Sequence, residues 1–366
     1  MKRNNLKRIT ATGAVLIALT AAVSILSVSC AKKTAEPDDA SAAENAQNSN
    51  RERVIAVFVP GIVSGSPVYE MLVSGVEKAV DEAAGAGANV RLQVIEAGTK
   101  QADWGAKMTT LASSANYALI VSSNPALPEI VDPISKQFPA QKFVIFDSYF
   151  EGNPAVTTFR YNQREQAYLS GYMAALVSTS GMESANKDKK IGLVAGQEYP
   201  AMLNVILPAF LEGAKAVDPE FEVDFRVVGN WYDAAKGAEL ARAMNEAGVD
   251  VIMPISGGAN QGVVAAAKEK GFYVAWFDDN GYAKAPGRVV SSSIMAQERL
   301  AYEKTRDWIN GSLAEGTPGT VGIADGYVDF VSDDPLYVEH VPAALREKQE
   351  ALLAKLKSGE LVLTVK

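Results

Sequence analysis

From residue 53 onward, short apolar runs alternate with stretches whose apolar residues recur at helical spacing. The first run, Arg53-Val54-Ile55-Ala56-Val57-Phe58-Val59, is nearly continuous in apolar side chains, as in a strand of a parallel sheet covered on both faces. A helix follows from 69 to about 83, with Leu72, Val76, Ala79 and Val80 on one stripe. Strand 90–96, a helix around 102–114, strand 117–122, helix 128–138 and strand 142–146 complete a first α/β unit.

The pattern then restarts. A long helix, 164–178, carries Ala167, Gly171, Ala174 and Ala175 and can pack closely against a neighbour. Strand 190–195 and helix 201–217 follow; Pro208 should kink that helix, because proline removes one backbone donor and its ring collides with the preceding turn. Strand 222–228, helix 234–247, strand 249–255, helix 260–270 and strand 272–277 close a second unit of the same order. Strand 288–293, helix 295–310, strand 321–330 and a charged helix 343–357 remain. They are too few for a third domain, so they should return the chain to each unit in turn. The prediction is an α/β protein with two doubly wound parallel-sheet lobes joined by a hinge of several crossovers. One lobe holds 51–160 plus about 286–320, the other 161–285 plus about 321–366. Ligands bind beyond the carboxyl ends of parallel strands, so two such sheets facing each other converge on one cleft.

The first residues change the picture of where this body works. Lys2, Arg3, Lys7 and Arg8 precede an apolar stretch that ends in small residues at Ser27-Val28-Ser29-Cys30. This is the layout of a secretory signal peptide over 1–29. Cys30 is the single cysteine of the chain, so no internal disulfide is available. The small residues before it resemble a bacterial lipobox, and lipidation of Cys30 would tether the chain to a membrane surface. Residues 30–50 lack an apolar run and read as a flexible tether. The formal charge is −8, and losing the leader removes four cations and no anions. A body this acidic, with no basic stripe, argues against nucleic acid as a partner.

Catalytic chemistry is sparse. One histidine, His340, and one cysteine cannot supply a nucleophile triad or a zinc site. Gly257-Gly258-Ala259-Asn260-Gln261-Gly262 follows a strand and opens a helix, a placement able to cradle an anion, yet it matches neither a dinucleotide fingerprint nor a P-loop. The expected role is binding, without an enzymatic reaction and without a cofactor or metal. The predicted strand ends supply Ser66 and Tyr69; Trp104; Ser122 and Asn124; Asp147 and Tyr149 in the first lobe. The second lobe supplies Tyr199; Trp231; Gly257, Asn260 and Gln261; Asp278 and Asn280. Aromatic faces stack on a flat ring, while carboxylates and amides satisfy hydroxyls and ring amides. Arg160 is the one cation expected near the cleft.

Several motifs resemble the basic membrane protein family of substrate-binding lipoproteins. They are Arg160-Tyr161 with Glu165-Gln166-Ala167-Tyr168-Leu169-Ser170-Gly171, Trp231-Tyr232-Asp233-Ala234-Ala235-Lys236-Gly237, the glycine-rich segment at Gly257, and Phe277-Asp278. The resemblance covers roughly 53–330. It implies the type I periplasmic-binding-protein fold, the permease and ATPase of an ABC transporter as partners, and a ligand with an aromatic base and a ribose. It carries hydroxyl-binding roles to Asp147 and Asp278, and an aromatic role to Trp231. The family's purine-nucleoside receptors have two aspartates and Lys-Ser-Phe-Asn after the first strand; here Val63-Ser64-Gly65-Ser66-Pro67-Val68-Tyr69 stands there. Ile294-Met295-Ala296 replaces a family lysine, and Asp279-Asn280 replaces an Asp-Gln pair. These departures point to the family's spirochaete branch and to riboflavin, a neutral tricycle with a polyol. A purine nucleoside is the alternative ligand, and presentation of a solute to a membrane sensor the alternative role. A monomer is expected.

Overall fold

The computed structural model describes residues 52–365. The segments expected to be a signal peptide and a tether, with Cys30 between them, lie outside these residues. Among the described residues no helix is long and apolar enough to cross a membrane.

Two six-stranded sheets form the core of the body. The first contains β1 (Arg53–Val59), β2 (Val90–Glu96), β3 (Leu119–Ser123), β4 (Phe143–Phe146), β5 (Val156–Tyr161) and β11 (Pro318–Val321). The second contains β6 (Lys190–Ala195), β7 (Glu222–Val227), β8 (Val251–Ile255), β9 (Tyr273–Asp278), β10 (Val289–Met295) and β12 (Val328–Phe330). The spatial orders are β11-β5-β4-β3-β1-β2 and β12-β10-β9-β8-β6-β7, so each strand of one sheet has a counterpart in the other. The inner strands are buried on both faces, which is why they read as continuous apolar runs. This is the two-lobed α/β architecture expected from the sequence.

The helices in chain order are α1 (Pro67–Gly85), α2 (Trp104–Ser113), α3 (Leu127–Gln137), α4 (Gln163–Ser178), α5 (Leu207–Lys215), α6 (Ala234–Glu246), α7 (Asn260–Lys270), α8 (Gln297–Ile309), α9 (Pro335–His340) and α10 (Ala343–Ser358). The helix predicted over 201–217 is split. Residues Met202–Ile206 form a π-turn and the α-helix starts at Leu207, with Pro208 in its first turn. A wider turn ahead of the proline relieves the clash its ring would make inside a continuous helix. Asp233 caps α6 by accepting from the Lys236 amide at 2.9 Å.

The chain crosses between lobes three times: after β5, between β10 and α8, and between β11 and β12. The crossovers bond to one another. The Asn162 amide donates to Val321 at 2.7 Å, and the Ile323 amide to Glu165 Oε2 at 2.8 Å. The lobe boundaries therefore differ from the sequence-based division. Strand β10 pairs with β9 in the second sheet, so 289–295 does not belong with the first lobe. Strand β11 pairs with β5 in the first sheet, where the sequence had suggested one strand over 321–330. Periodicity identifies a strand but not the sheet it joins.

Close helix packing fastens helix pairs together within each lobe. In the second lobe a methyl on Gly171 of α4 would lie 1.9 Å from the Phe210 carbonyl oxygen. Gly213 of α5 is equally tight against Tyr168. In the first lobe Gly75 of α1 would meet the Glu298 carbonyl of α8 at 2.2 Å. Only a residue without a side chain lets these backbones approach so closely.

Candidate functional site

A cavity of about 500 Å³ lies where the carboxyl ends of the two sheets face each other. Two aspartates occupy equivalent places in it. Asp147 follows Phe146 at the end of β4, and Asp278 follows Phe277 at the end of β9, the counterpart of β4. Both have left-handed backbones, φ 52° and 81°. That region is unfavourable for a side-chain-bearing residue, though aspartate tolerates it better than most. Retained strain of this kind clusters at binding sites.

The first turn of α4, which starts just after a crossover, holds both carboxylates. Gln163 Nε2 donates to Asp147 Oδ1 at 3.2 Å, and Gln166 Nε2 donates to Asp278 Oδ1 at 3.3 Å. Three residues separate these glutamines, so they share one helix face. Burial, followed by the charge of Asp278, raises the Asp147 pKa well above the usual carboxylate range. Burial and then the neighbouring Asp279 push Asp278 up to about 7, against a smaller opposing effect of the Gln166 hydrogen bond. Two carboxyls facing one cavity cannot both ionise cheaply without hydroxyl or amide donors.

Aromatic groups gather mainly on the second lobe. The Trp231 ring lies over Gly196 at the end of β6, where an added methyl would come within 2.5 Å of it. Its Nε1 donates to Gln197 Oε1 at 3.0 Å, and Tyr199 sits 5.9 Å away, tilted by 48°. Trp276 also lines the cavity, with Lys284 over its ring at 4.9 Å. Lys284 pairs with Asp279 at 3.3 Å. On the first lobe, Tyr69 donates to the Pro60 carbonyl and accepts from Asn124 Nδ2. Asn260 Oδ1 is taken by the amide and hydroxyl of Ser256, which leaves its amide nitrogen to the cavity. Ser66, Gly257 and Gln261 line the same space. The glycine turn at Gly257–Gly258 is filled by the Trp231–Tyr232 backbone: a methyl on Gly257 would lie 3.0 Å from the Trp231 carbonyl oxygen. It makes room for an aromatic segment rather than cradling an anion.

Five residues expected at the cleft sit elsewhere. Trp104 is buried in the first-lobe core, donating to the Gly98 carbonyl, because the start of α2 turns its face onto the sheet. Ser122 donates to Phe58 O inside the sheet; strand alternation gives the cavity to Ser123 instead. Tyr149 is exposed and stacks under Arg160 at 4.1 Å, so both lie outside the cavity lining. Asn280 bonds Asp334 and lines a second, neighbouring hollow. Tyr232, a strand-end residue beside Trp231, lines the cavity as well, and so do Gln163, Trp276, Lys268 and Lys284, which were not singled out from the sequence. Trp276, one residue before Phe277-Asp278, was within reach of the strand-end argument. Among the described residues no cluster of histidine, cysteine and carboxylates is arranged to hold a metal ion.

Two α/β lobes facing each other across a cavity between their strand ends define the type I periplasmic-binding-protein fold. The chain belongs to the Bmp family, described as ABC transporter substrate-binding protein PnrA-like, which matches residues 52–361. It is 32% identical over 157 residues to the ABC transporter nucleoside-binding protein BmpA of Lactococcus lactis, covering 43% of this chain and 42% of that one. It is 24% identical over 242 residues to basic membrane protein A2 of Borrelia garinii, covering 64% and 67% of the two chains. The match to a CD4+ T-cell-stimulating antigen of Listeria innocua is 30% identical over 46% of this chain and 44% of that one, so alignments of this kind span under half of those relatives' length. Among solved structures, a solute-binding protein of an ABC transporter system from Aeropyrum pernix superposes with a TM-score of 0.71 at 20% identity, over 86% of this chain and 94% of that one. A solute-binding protein from Agrobacterium radiobacter in complex with D-arabinose gives 0.58 at 19% identity, over 80% and 100%. These two likenesses concern the fold.

Proposed function

We propose that this protein captures riboflavin outside the cytoplasmic membrane and presents it to the permease and ATPase of an ABC transporter. The observation that carries the reading is the make-up of the cavity: aromatic side chains gathered beside two carboxylates that are held by glutamines. A flat ring stacks on Tyr199, Trp231 and Trp276, while ribityl hydroxyls donate to Asp147 and Asp278. The cavity size suits a small solute. Lipidation of Cys30 would keep the receptor at the membrane surface.

A purine nucleoside is the second reading, favoured by the BmpA relative's name. It too offers a flat ring and hydroxyls. Titrating riboflavin with purified residues 31–366 separates the two. Saturable quenching of flavin fluorescence that inosine and adenosine do not compete away supports a flavin receptor. Absence of quenching, with thermal stabilisation by a nucleoside, overturns it in favour of the second reading.

A further inference from the structure

We infer that Tyr232 is a cross-cleft latch, a positioning residue that sets how long the closed lobes hold their ligand. The inference rests on the binding role above but not on the ligand's identity. Tyr232 follows β7 in the second lobe, yet its hydroxyl reaches the loop after β1 in the first. There it packs against the backbone of Gly61 and Ile62; burial raises its pKa and the nearby Ile62 amide acts in the opposite direction. A methyl on Gly61 would lie 2.4 Å from the Tyr232 hydroxyl and 2.9 Å from the Tyr69 ring, so Gly61 sits between the two tyrosines with no room for a side chain. Nearby, a methyl on Gly65 would stand 3.7 Å from Gln261 Nε2, a second approach between the same loop and the second lobe.

Both halves of the latch are fixed by their own lobes. In the first, the Val63 amide donates to Glu96 Oε1 at 2.7 Å and the Gly65 amide to Glu70 Oε1 at 2.8 Å. The Gly98 amide donates to the Gly61 carbonyl. In the second, Asn230 Oδ1 accepts from the Tyr232 and Asp233 amides, and Asp233 caps α6. A contact between two pre-shaped partners costs little ordering entropy when it forms. It exists only when the lobes are together, so it favours the closed state through differential contacts. Its loss should therefore appear in dissociation and not in encounter.

The test is Tyr232→Phe in the full chain, which keeps the ring and removes the hydroxyl that meets the first-lobe loop. Dissociation of riboflavin is followed by stopped-flow flavin fluorescence, and inosine is measured by calorimetry. Exchange of the Ile62 amide is followed by NMR with and without these probes. The expected result is dissociation about five- to tenfold faster, association within twofold, an unchanged melting temperature without ligand, and faster Ile62 exchange. Ile62 exchange equal to wild type, or a change confined to association, overturns the latch. If wild type binds neither probe, the ligand assignment fails alone. The latch is then decided by Ile62 exchange in the unliganded pair, where equal rates reject it.

Discussion

The two lobes are built on one plan and differ in what they bring to the cavity. Each ends its fourth strand in order of succession, β4 or β9, with a Phe-Asp pair whose aspartate has a left-handed backbone. Each aspartate is held by a glutamine from the same turn of α4. The aromatic groups break the symmetry. The first lobe contributes Tyr69, most of whose surface is buried, while the second contributes Tyr199, Trp231, Tyr232 and Trp276. The comparison teaches that the cavity's paired carboxylates come from both lobes, whereas its aromatic side chains sit mainly on one. On the proposed reading, a ligand docks its ring on the second lobe and gains its full set of hydroxyl contacts only on closure.

The sharpest way to break this comparison is to remove the carboxylates. Asp278→Ala and Asp147→Ala should each weaken riboflavin binding by about 10- to 100-fold, the value of losing a hydrogen bond to a charged group at about 1.5–3 kcal/mol. Near-equal losses, measured by calorimetry, would support the shared role; a loss at one position alone would refute it.

Stability probes the scaffolds. Gly171→Ala and Gly75→Ala each force a methyl against a neighbouring helix carbonyl, in the second and first lobes respectively. Each should cost about 1–3 kcal/mol in thermal or denaturant unfolding, with affinity less affected than by the aspartate changes. Wild-type melting in either variant would mean that these close helix contacts do not hold the lobes together as described.

The aromatic asymmetry predicts a smaller effect. Trp231→Ala should lose about 0.5–1.5 kcal/mol of ring stacking beyond lost contact area, and Tyr69→Phe clearly less. A larger loss at Tyr69 would move the ring site to the first lobe.

The pH dependence sharpens the role of Asp278. Its pKa of about 7 in the fold lies above the ordinary carboxylate value of about 3.9 expected when unfolded. Between these values the folded state binds more protons than the unfolded state, so unliganded stability falls as pH rises from about 4 through 7. Asp278→Asn should flatten that part of the melting profile. Ligand hydroxyls need the ionised acceptor, so affinity should rise with pH and level off above about 7. The change should be at most about tenfold per pH unit for one carboxylate. Affinity independent of pH between 5.5 and 8 would exclude Asp278 as a hydroxyl acceptor.

Much of the fold was legible because buried parallel strands announce themselves. Runs such as Val54–Val59 have no polar face to confuse their reading. Strands β5 and β11 escaped it: Val-Thr-Thr-Phe-Arg-Tyr is half polar, and Pro-Gly-Thr-Val is four residues at a sheet edge. In the site, Asp147 and Asp278 were legible because a residue just past a strand end must face the cleft. Trp104 shows the limit of that rule. It also follows a strand, but eight residues beyond the end of β2 and at the start of a helix, where its ring is buried in the core.

By itself the sequence determined the alternation of strands and helices, the two-lobe plan and the strand-end carboxylates, because each depends on local periodicity and burial. Tertiary structure alone decided which sheet β10 and β11 join, that Gln163 and Gln166 hold one aspartate from each lobe, and that Tyr232 meets Ile62. Those facts concern segments far apart in the chain, and their distances are set by how two finished lobes pack about a hinge.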